Sequence, residues 1–335
     1  MYLRSIEWVD GAIKIIDQTK LPEKLEYKYL TELDDVVEAI KNMRVRGAPL
    51  IGITAVLGLA LVAYQNKGKS DDELLEILRY AYKRLKSSRP TAVNLVNMMN
   101  LLMEYARKNP DPDDIILYAT RLMDQDIETN RKLSEYGSNL IEDGDIVLTH
   151  CNTGSLATVS IGTALGVILR AFEKGKNFKV VITETRPKLQ GARITAFELL
   201  YAGIKPILIV DSAVSYAIKS IGITKIFVGA DRILRDGTTF NKIGTYQIAI
   251  TANYHNIPFY VVAPTSTLDL INDVEGVVIE NRDGDEILKC GGRYIAPHNL
   301  EVYNPAFDVT PPNLIDGIIT EKGIFYPPYN FTELE

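Results

Sequence analysis

The chain has 335 residues, 46% of them hydrophobic and 24% charged, an ordinary globular balance with enough length for two cores. Its 37 basic and 43 acidic residues give a net charge of −6 without any lysine- or arginine-rich run, so nucleic acid is not an expected partner. Two cysteines, Cys151 and Cys290, and three scattered histidines form neither a disulfide framework nor a ligand set, so no structural metal is expected and a reducing, cytoplasmic setting is.

The start of the chain carries Arg4, Glu7 and Asp10 where a leader would place a basic patch and an apolar block, and no apolar run is expected to reach membrane-spanning length. Residues 6–9 and 12–16 read as a hairpin around Asp10-Gly11, a pair that favours positive φ. Thr31 and Asp34 open an amphipathic helix that ends near Arg44. Next, Arg46-Gly47-Ala48-Pro49 is a glycine loop followed by a proline suited to a helix's first turn, and a very apolar helix then runs to about Tyr64. An amphipathic helix over 71–86 is followed by the turn Ser88-Arg89-Pro90-Thr91, where proline opens another helix to Arg107. A long helix or a bent pair over 113–139 joins this mostly helical part to the rest. The expected organisation is an N-terminal hairpin and helical domain over 1–125 and a second domain over 126–335.

In the second part, apolar runs at 146–148, 180–183, 206–210, 225–228 and 259–263 alternate with helical patterns at 155–174, 188–202, 212–220 and 244–256. Continuous apolar strands separated by helices predict a doubly wound, Rossmann-like α/β domain with a parallel sheet. Ligands of such sheets bind outside the carboxyl ends of the strands. There the chain places His150-Cys151-Asn152, Glu184-Thr185-Arg186, Asp211-Ser212, Gly229-Ala230-Asp231-Arg232 and Pro264-Thr265-Ser266.

Each of these has a plain reading beside a chemical one. Asp211 and Ser212 suit helix capping. Cys151 is either a buried structural cysteine or a thiol activated at the N-terminus of a helix opening at Ser155. Asp231, delivered to the rim by an apolar strand and given close approach by Gly229, is either a cap or partner of Arg232 or a working carboxylate. Arg46 and Arg89 are either solvated loop cations or, with Lys242, cations for a phosphate. Cys151 and Asp231 together would form an acid–base pair on one rim, suited to shuttling a proton between adjacent carbons. The glycine fingerprints of dinucleotide and P-loop sites are missing, as are a Ser–His–Asp arrangement and a His-Glu-x-x-His helix.

Several ordered blocks resemble the methylthioribose-1-phosphate isomerase family. They are Arg46-Gly47-Ala48-Pro49, Ser88-Arg89-Pro90-Thr91, His150-Cys151-Asn152-Thr153-Gly154, Thr185-Arg186-Pro187-Lys188-Leu189-Gln190-Gly191-Ala192-Arg193, Gly229-Ala230-Asp231-Arg232, Asn241-Lys242-Ile243-Gly244-Thr245 and Asn304-Pro305-Ala306-Phe307-Asp308-Val309-Thr310-Pro311. The resemblance spans nearly the whole chain. It implies an aldose–ketose isomerase of methionine salvage, with Cys151 and Asp231 as the catalytic pair and Arg46, Gly47, Ala48, Arg89, Gln190, Asn241 and Lys242 on the substrate. It also implies no metal or organic cofactor, and a homodimer built on the α/β domain. Ribose-1,5-bisphosphate isomerases and regulatory subunits of the translation-initiation exchange factor share the fold and stand as alternatives. The hairpin with Trp8, residues 279–287 and the block from Asn304 favour the methylthioribose branch. Within 279–287, Glu280-Asn281-Arg282-Asp283-Gly284 departs from the family's usual Glu-Arg-Asp-Pro. Leu50, Val93 and Leu156 are candidate apolar walls for the methylthio group.

Overall fold

A computed structural model describes residues 2–89 and 93–331, with the side chain of Val93 also left out. Two compact units emerge: Met1–Arg131 with Gly154–Gly162, and Lys132–Thr153 with Thr163–Glu335.

The first unit opens with β1 (Ile6–Val9) and β2 (Ala12–Ile16), paired antiparallel around Asp10 and Gly11, whose φ angles of 46° and 80° make the expected turn. A third strand, β3 (Tyr27–Leu30), was not foreseen and pairs with β2. The helices are α1 (Leu33–Lys41), α2 (Ala48–Gln65), α3 (Asp71–Ser88), α4 (Val93–Lys108) and α5 (Pro112–Ser138), the last unbroken and containing the boundary between the units.

One sequence expectation is overturned here: α2 does reach membrane-spanning length, with 18 residues, a mean hydropathy of 1.8 and no charge. Its residues from Leu50 to Ala63 are all buried, and α1, α3 and α4 pack around it. An all-round apolar helix so enclosed is the centre of a core. Pro49 lies in its first turn. Gly47 precedes it at φ +93°, where a Cβ would lie 2.4 Å from the Ala157 carbonyl oxygen, so only glycine fits.

The second unit contains β4 (Ile146–Thr149), α6 (Ala164–Glu173), β5 (Lys179–Thr183), α7 (Ala196–Tyr201), β6 (Ile207–Ile209), α8 (Val214–Ile221) and β7 (Lys225–Val228). Then follow β8 (Arg232–Leu234), β9 (Thr239–Lys242), α9 (Thr245–Tyr254), β10 (Phe259–Val262) and β11 (Leu268–Asp269). The chain ends with α10 (Asp285–Leu288), β12 (Lys289–Cys290), β13 (Arg293–Tyr294), β14 (Phe307–Thr310), β15 (Gly317–Thr320) and β16 (Gly323–Phe325).

The main sheet has the order β16-β15-β10-β7-β4-β5-β6, parallel except for β16. The five members from β10 to β6 are the predicted strands. Leu148, Val181, Ile226, Val228, Phe259 and Val261 are fully buried in the core they share. A second sheet, β11-β8-β9-β14, was not read from the sequence.

The helix expected over 155–174 does not form as one piece. A single 3-10 turn, Ser155–Ala157, is followed by a run of bends, and α6 begins only at Ala164. β-branched Thr158, Val159, Ile161 and Thr163 and a left-handed Gly162 (φ +91°) work against a continuous helix. This segment instead packs into the first unit, where Ser5 and Gln18 donate side-chain hydrogen bonds to the Ser155 and Leu156 carbonyls at 2.6 and 2.8 Å. Truncating fully buried Leu59 to alanine is expected to destabilise the protein by about 2–5 kcal/mol. Denaturant unfolding checks this; a loss below about 1 kcal/mol would mean α2 is not a tightly packed centre.

Candidate functional site

The strand order reverses at β4: the chain steps outward through β5 and β6, then returns to lay β7 and β10 on the other side. Ligand crevices open at such reversals, beyond the carboxyl ends of the two flanking strands. Those strands, β4 and β7, deliver Cys151 and Asp231. Thr149 lies opposite Phe227 in the parallel register, so the two chains leave the sheet side by side, about 5 Å apart. A Cβ at Gly229 would lie 2.6 Å from Thr153 Cγ2, so the exit of β7 presses directly on the turn that holds the thiol. Asp231 follows, its N–H donating to the Phe240 carbonyl at 2.9 Å where β8 and β9 begin.

Cys151 is buried and adopts φ +62°, a left-handed conformation uncommon outside glycine. Two threonines hold it. Its N–H donates to Thr185 Oγ1 at 2.9 Å, and its carbonyl accepts from Thr195 Oγ1 at 2.6 Å. Thr185 is itself left-handed at φ +62°, and its N–H and that of Arg186 both donate to the Asp211 carboxylate at 2.7 and 2.6 Å. Asp211 therefore braces the loop after β5, a correction to its expected role as a helix cap. Likewise Arg232 pairs with Asp269 at 2.7 Å.

Thr195 owes its reach to a π-helical turn, Gly191–Thr195, that begins right after Gln190 and leads into α7. A Cβ at Gly191 would lie 1.8 Å from the Thr183 carbonyl oxygen, which makes glycine obligatory where this turn meets β5. The Gln190 Oε1 atom is buried and has no hydrogen-bond partner among the described residues. Asn152 donates to Thr195 Oγ1 at 3.1 Å and to the buried Glu198 carboxylate at 2.7 Å.

His150 completes the arrangement. Its Nε2 lies 3.0 Å from the Ile243 carbonyl, an acceptor only, so Nε2 carries the proton. Nδ1 then accepts from Thr183 Oγ1 at 2.7 Å, and Thr183 in turn accepts from Thr185 Oγ1 at 3.3 Å. Burial pushes the His150 pKa down to about 4, against the opposing pull of Asp211 and the Ile243 carbonyl, which keeps the ring neutral as this bonding requires.

Ile243 belongs to the turn after β9 that presents Asn241 and Lys242. Asn241 donates to Thr245 Oγ1 at 2.9 Å, while Lys242 donates to the Ala306 carbonyl at 2.9 Å and lies over the Phe307 ring. Asp308 Oδ2 accepts the Gly244 and Tyr246 N–H groups at 2.7 and 3.1 Å, capping α9. Burial raises its pKa to about 6, and its buried Oδ1 has no partner.

Of the residues singled out in the sequence, Cys151, Asp231, Gln190, Asn241 and Lys242 thus lie on strand ends and turns of the second unit. Arg46, Gly47, Ala48 and Arg89 belong to the first unit, where Arg46 and Arg89 are half-buried and Arg89 follows the last residue of α3. Pro90, Thr91 and the Val93 side chain lie outside the described residues; Leu50 and Leu156 are fully buried. Sequence reasoning missed the hydroxyls of Thr183, Thr185 and Thr195. The strand-end position of Thr183 and Thr185 was a signal; nothing marked Thr195.

Residues 44–327 match the model of the initiation factor 2 subunit family. The chain belongs to that family. Relatives within it carry two kinds of name. Methylthioribose-1-phosphate isomerase 2 of Pseudothermotoga lettingae is 48% identical over 332 residues, covering 97% of this chain and 96% of that protein. The crystal structure of 5-methylthioribose 1-phosphate isomerase from Pyrococcus horikoshii is 41% identical with a TM-score of 0.91, covering 97% and 93%. The structure of the A. fulgidus translation initiation factor eIF-2B subunit delta is 48% identical with a TM-score of 0.90, covering 99% of both chains.

Because the folded state depresses the His150 pKa from 6.5 to about 4, its contribution to stability is present above pH 6.5 and is lost as pH falls toward 4. The full loss is on the order of 3 kcal/mol. NMR of the ring should show no titration between about pH 5.5 and 8, and a midpoint near neutrality would refute the neutral, Nε2-protonated assignment.

Proposed function

We infer that this member of the initiation factor 2 subunit family is an aldose–ketose isomerase that converts 5-methylthioribose 1-phosphate to 5-methylthioribulose 1-phosphate in methionine salvage. The observation that carries this reading is identity of 41–48% over essentially full length to proteins bearing that name. The site geometry agrees with it: a thiol and a carboxylate follow the two strands that flank the sheet's reversal.

The reaction is redox-neutral overall. In the substrate O1 carries the phosphate, so the ring cannot open to a free aldehyde. The C1–O4 bond breaks and O4 becomes a hydroxyl, C1 gains a hydrogen, and C2 loses its hydrogen and its hydroxyl proton to become the carbonyl. An acid at O4 and a base at C2 therefore suffice. We assign Asp231 to the ring oxygen and Cys151 to the C1–C2 edge, with the proton moving through an enediol-like state. A dry site would protect that state from losing phosphate.

For binding, we assign Arg46, Arg89 and Lys242 to the phosphate, with Gly47 and Ala48 offering close backbone approach and Asn241 and Gln190 binding sugar hydroxyls. The unpartnered amide oxygen of Gln190 supports its part, since a buried acceptor left open by the protein suits a ligand donor. We also infer a cytoplasmic homodimer built on the Rossmann-like domain. Strand β6 is an edge of the main sheet and exposes Ile207, Leu208 and Val210, an apolar edge that a second copy would cover. Sedimentation giving the mass of a single chain would refute the dimer.

The second reading, a non-enzymatic regulatory subunit, is favoured by the likeness to the A. fulgidus eIF-2B delta structure. Turnover decides between them. The purified chain should isomerise 5-methylthioribose 1-phosphate and act far more slowly on ribose 1,5-bisphosphate, while Cys151→Ser should fold and lose at least about a hundredfold in kcat. No turnover of either sugar would point to the regulatory reading, and near-parent rates in Cys151→Ser would return the thiol to a structural part.

A further inference from the structure

We propose that Thr185, oriented by Thr183 and His150, is a positioning residue that holds the Cys151 turn in its left-handed form and ties it to the turn carrying Asn241 and Lys242. The inference rests on the reading of Cys151 as a catalytic group and deepens it. Nothing in the family resemblance assigned a part to these three side chains.

One end of the chain of bonds is fixed. The Ile243 carbonyl can only accept, so His150 donates to it from Nε2 and must accept at Nδ1. Thr183 fills that need at 2.7 Å and spends its single proton there. Its oxygen can therefore only accept from Thr185, 3.3 Å away. Thr185 has then spent its own proton, and its remaining lone pair faces the Cys151 N–H at 2.9 Å. Every hydroxyl has one possible direction, so the Cys151 amide meets an oriented acceptor.

Four of these groups, His150, Cys151, Thr183 and Thr185, are all but fully buried, which excludes water as a substitute partner. Both left-handed residues are pinned from both sides: Thr195 holds the Cys151 carbonyl, and Asp211 holds the Thr185 and Arg186 amides. Gly191 allows β5 to approach closely enough for this, since a Cβ there would lie 3.0 Å from Thr185 Oγ1. The series thus joins the ends of β4 and β5 to the turn after β9, which are the places where the thiol and the proposed hydroxyl- and phosphate-binding groups emerge. Losing the Thr185 bond frees one of the two sides of the turn that carries the sulfur, and shifts of about 1 Å are enough to cost a hundredfold in rate.

The test uses the full chain with Thr185→Val, Thr185→Ser and Thr183→Val. Steady-state kinetics on 5-methylthioribose 1-phosphate are paired with the pH dependence of iodoacetamide labelling at Cys151, followed on its own peptide by mass spectrometry because Cys290 is exposed. For folded Thr185→Val we expect kcat to fall at least about tenfold with KM changed less than about threefold, and the labelling profile to shift; serine should restore both. A merely structural bond would lower the unfolding midpoint and leave kcat and labelling as they were, and that result overturns the proposal. Should Thr185→Val fail to fold, Thr183→Val decides: it keeps the acceptor for Cys151 but removes its orientation. A fall in kcat of about threefold or more supports the proposal, and an unchanged kcat overturns it. Cys151→Ser separates the two layers. Should it turn over normally, the reading of the thiol fails; should it be inactive while Thr185→Val is fully active, only the positioning claim fails.

Discussion

The parallel pairing of β4 with β7 is the constraint on which the site depends. Both strands are apolar and buried, so neither can carry chemistry along its length; only their ends can. Backbone hydrogen bonds fix the register, and the register fixes which residues leave the sheet together. The chain reverses its winding at this pair, and ligands of such sheets bind beyond the ends of the strands where that happens. Gly229 then removes the one side chain that would keep the two exits apart. Sheet topology alone thus brings the segment after β4, which carries Cys151, and the segment after β7, which carries Asp231, out at the same end of the sheet.

That part of the molecule was legible because parallel strands appear as unbroken apolar runs, and all five strands from β10 to the edge strand β6 were found within a residue or two of their observed ends. The second sheet was illegible for the opposite reason. β8, β9 and β14 are short and mix charged, polar and apolar residues, so their pairing is visible only once Asn241 is seen opposite Asp308. The segment after Cys151 was misread because Leu156, Val159 and Thr163 mimic helical spacing, while the bonds that hold its 3-10 turn come from Ser5 and Gln18, far away in the chain. The positive φ of Cys151 had no signal at all, since non-glycine residues enter that region only when their surroundings force them.

The forcing can be weighed. Left-handed backbone at a non-glycine residue costs about 1–3 kcal/mol, and here Cys151 and Thr185 both adopt it. Against this stand two bonds from backbone amides to the charged Asp211 and two threonine bonds to Cys151, with charge-assisted bonds contributing about 1.5–3 kcal/mol and neutral ones about 1 kcal/mol each. The bonds, about 5–8 kcal/mol together, exceed the strain of about 2–6 kcal/mol by a few kcal/mol. Removing any one bond leaves a buried group unsatisfied and narrows that margin.

The same accounting separates structural polar groups from those left for a ligand. In a buried region, an unpaired acceptor is expensive, which is why the hydroxyls around Cys151 form a closed series and why His150 stays neutral. Gln190 Oε1 lies outside that series as a buried acceptor without a partner among the described residues, as do Thr149 Oγ1, Ser155 Oγ and Asp308 Oδ1. It sits at the start of the π turn whose far end clamps Cys151, so the backbone distortion that positions the thiol also sets this amide at the rim. In the proposed reaction a sugar hydroxyl is the donor that would fill that acceptor.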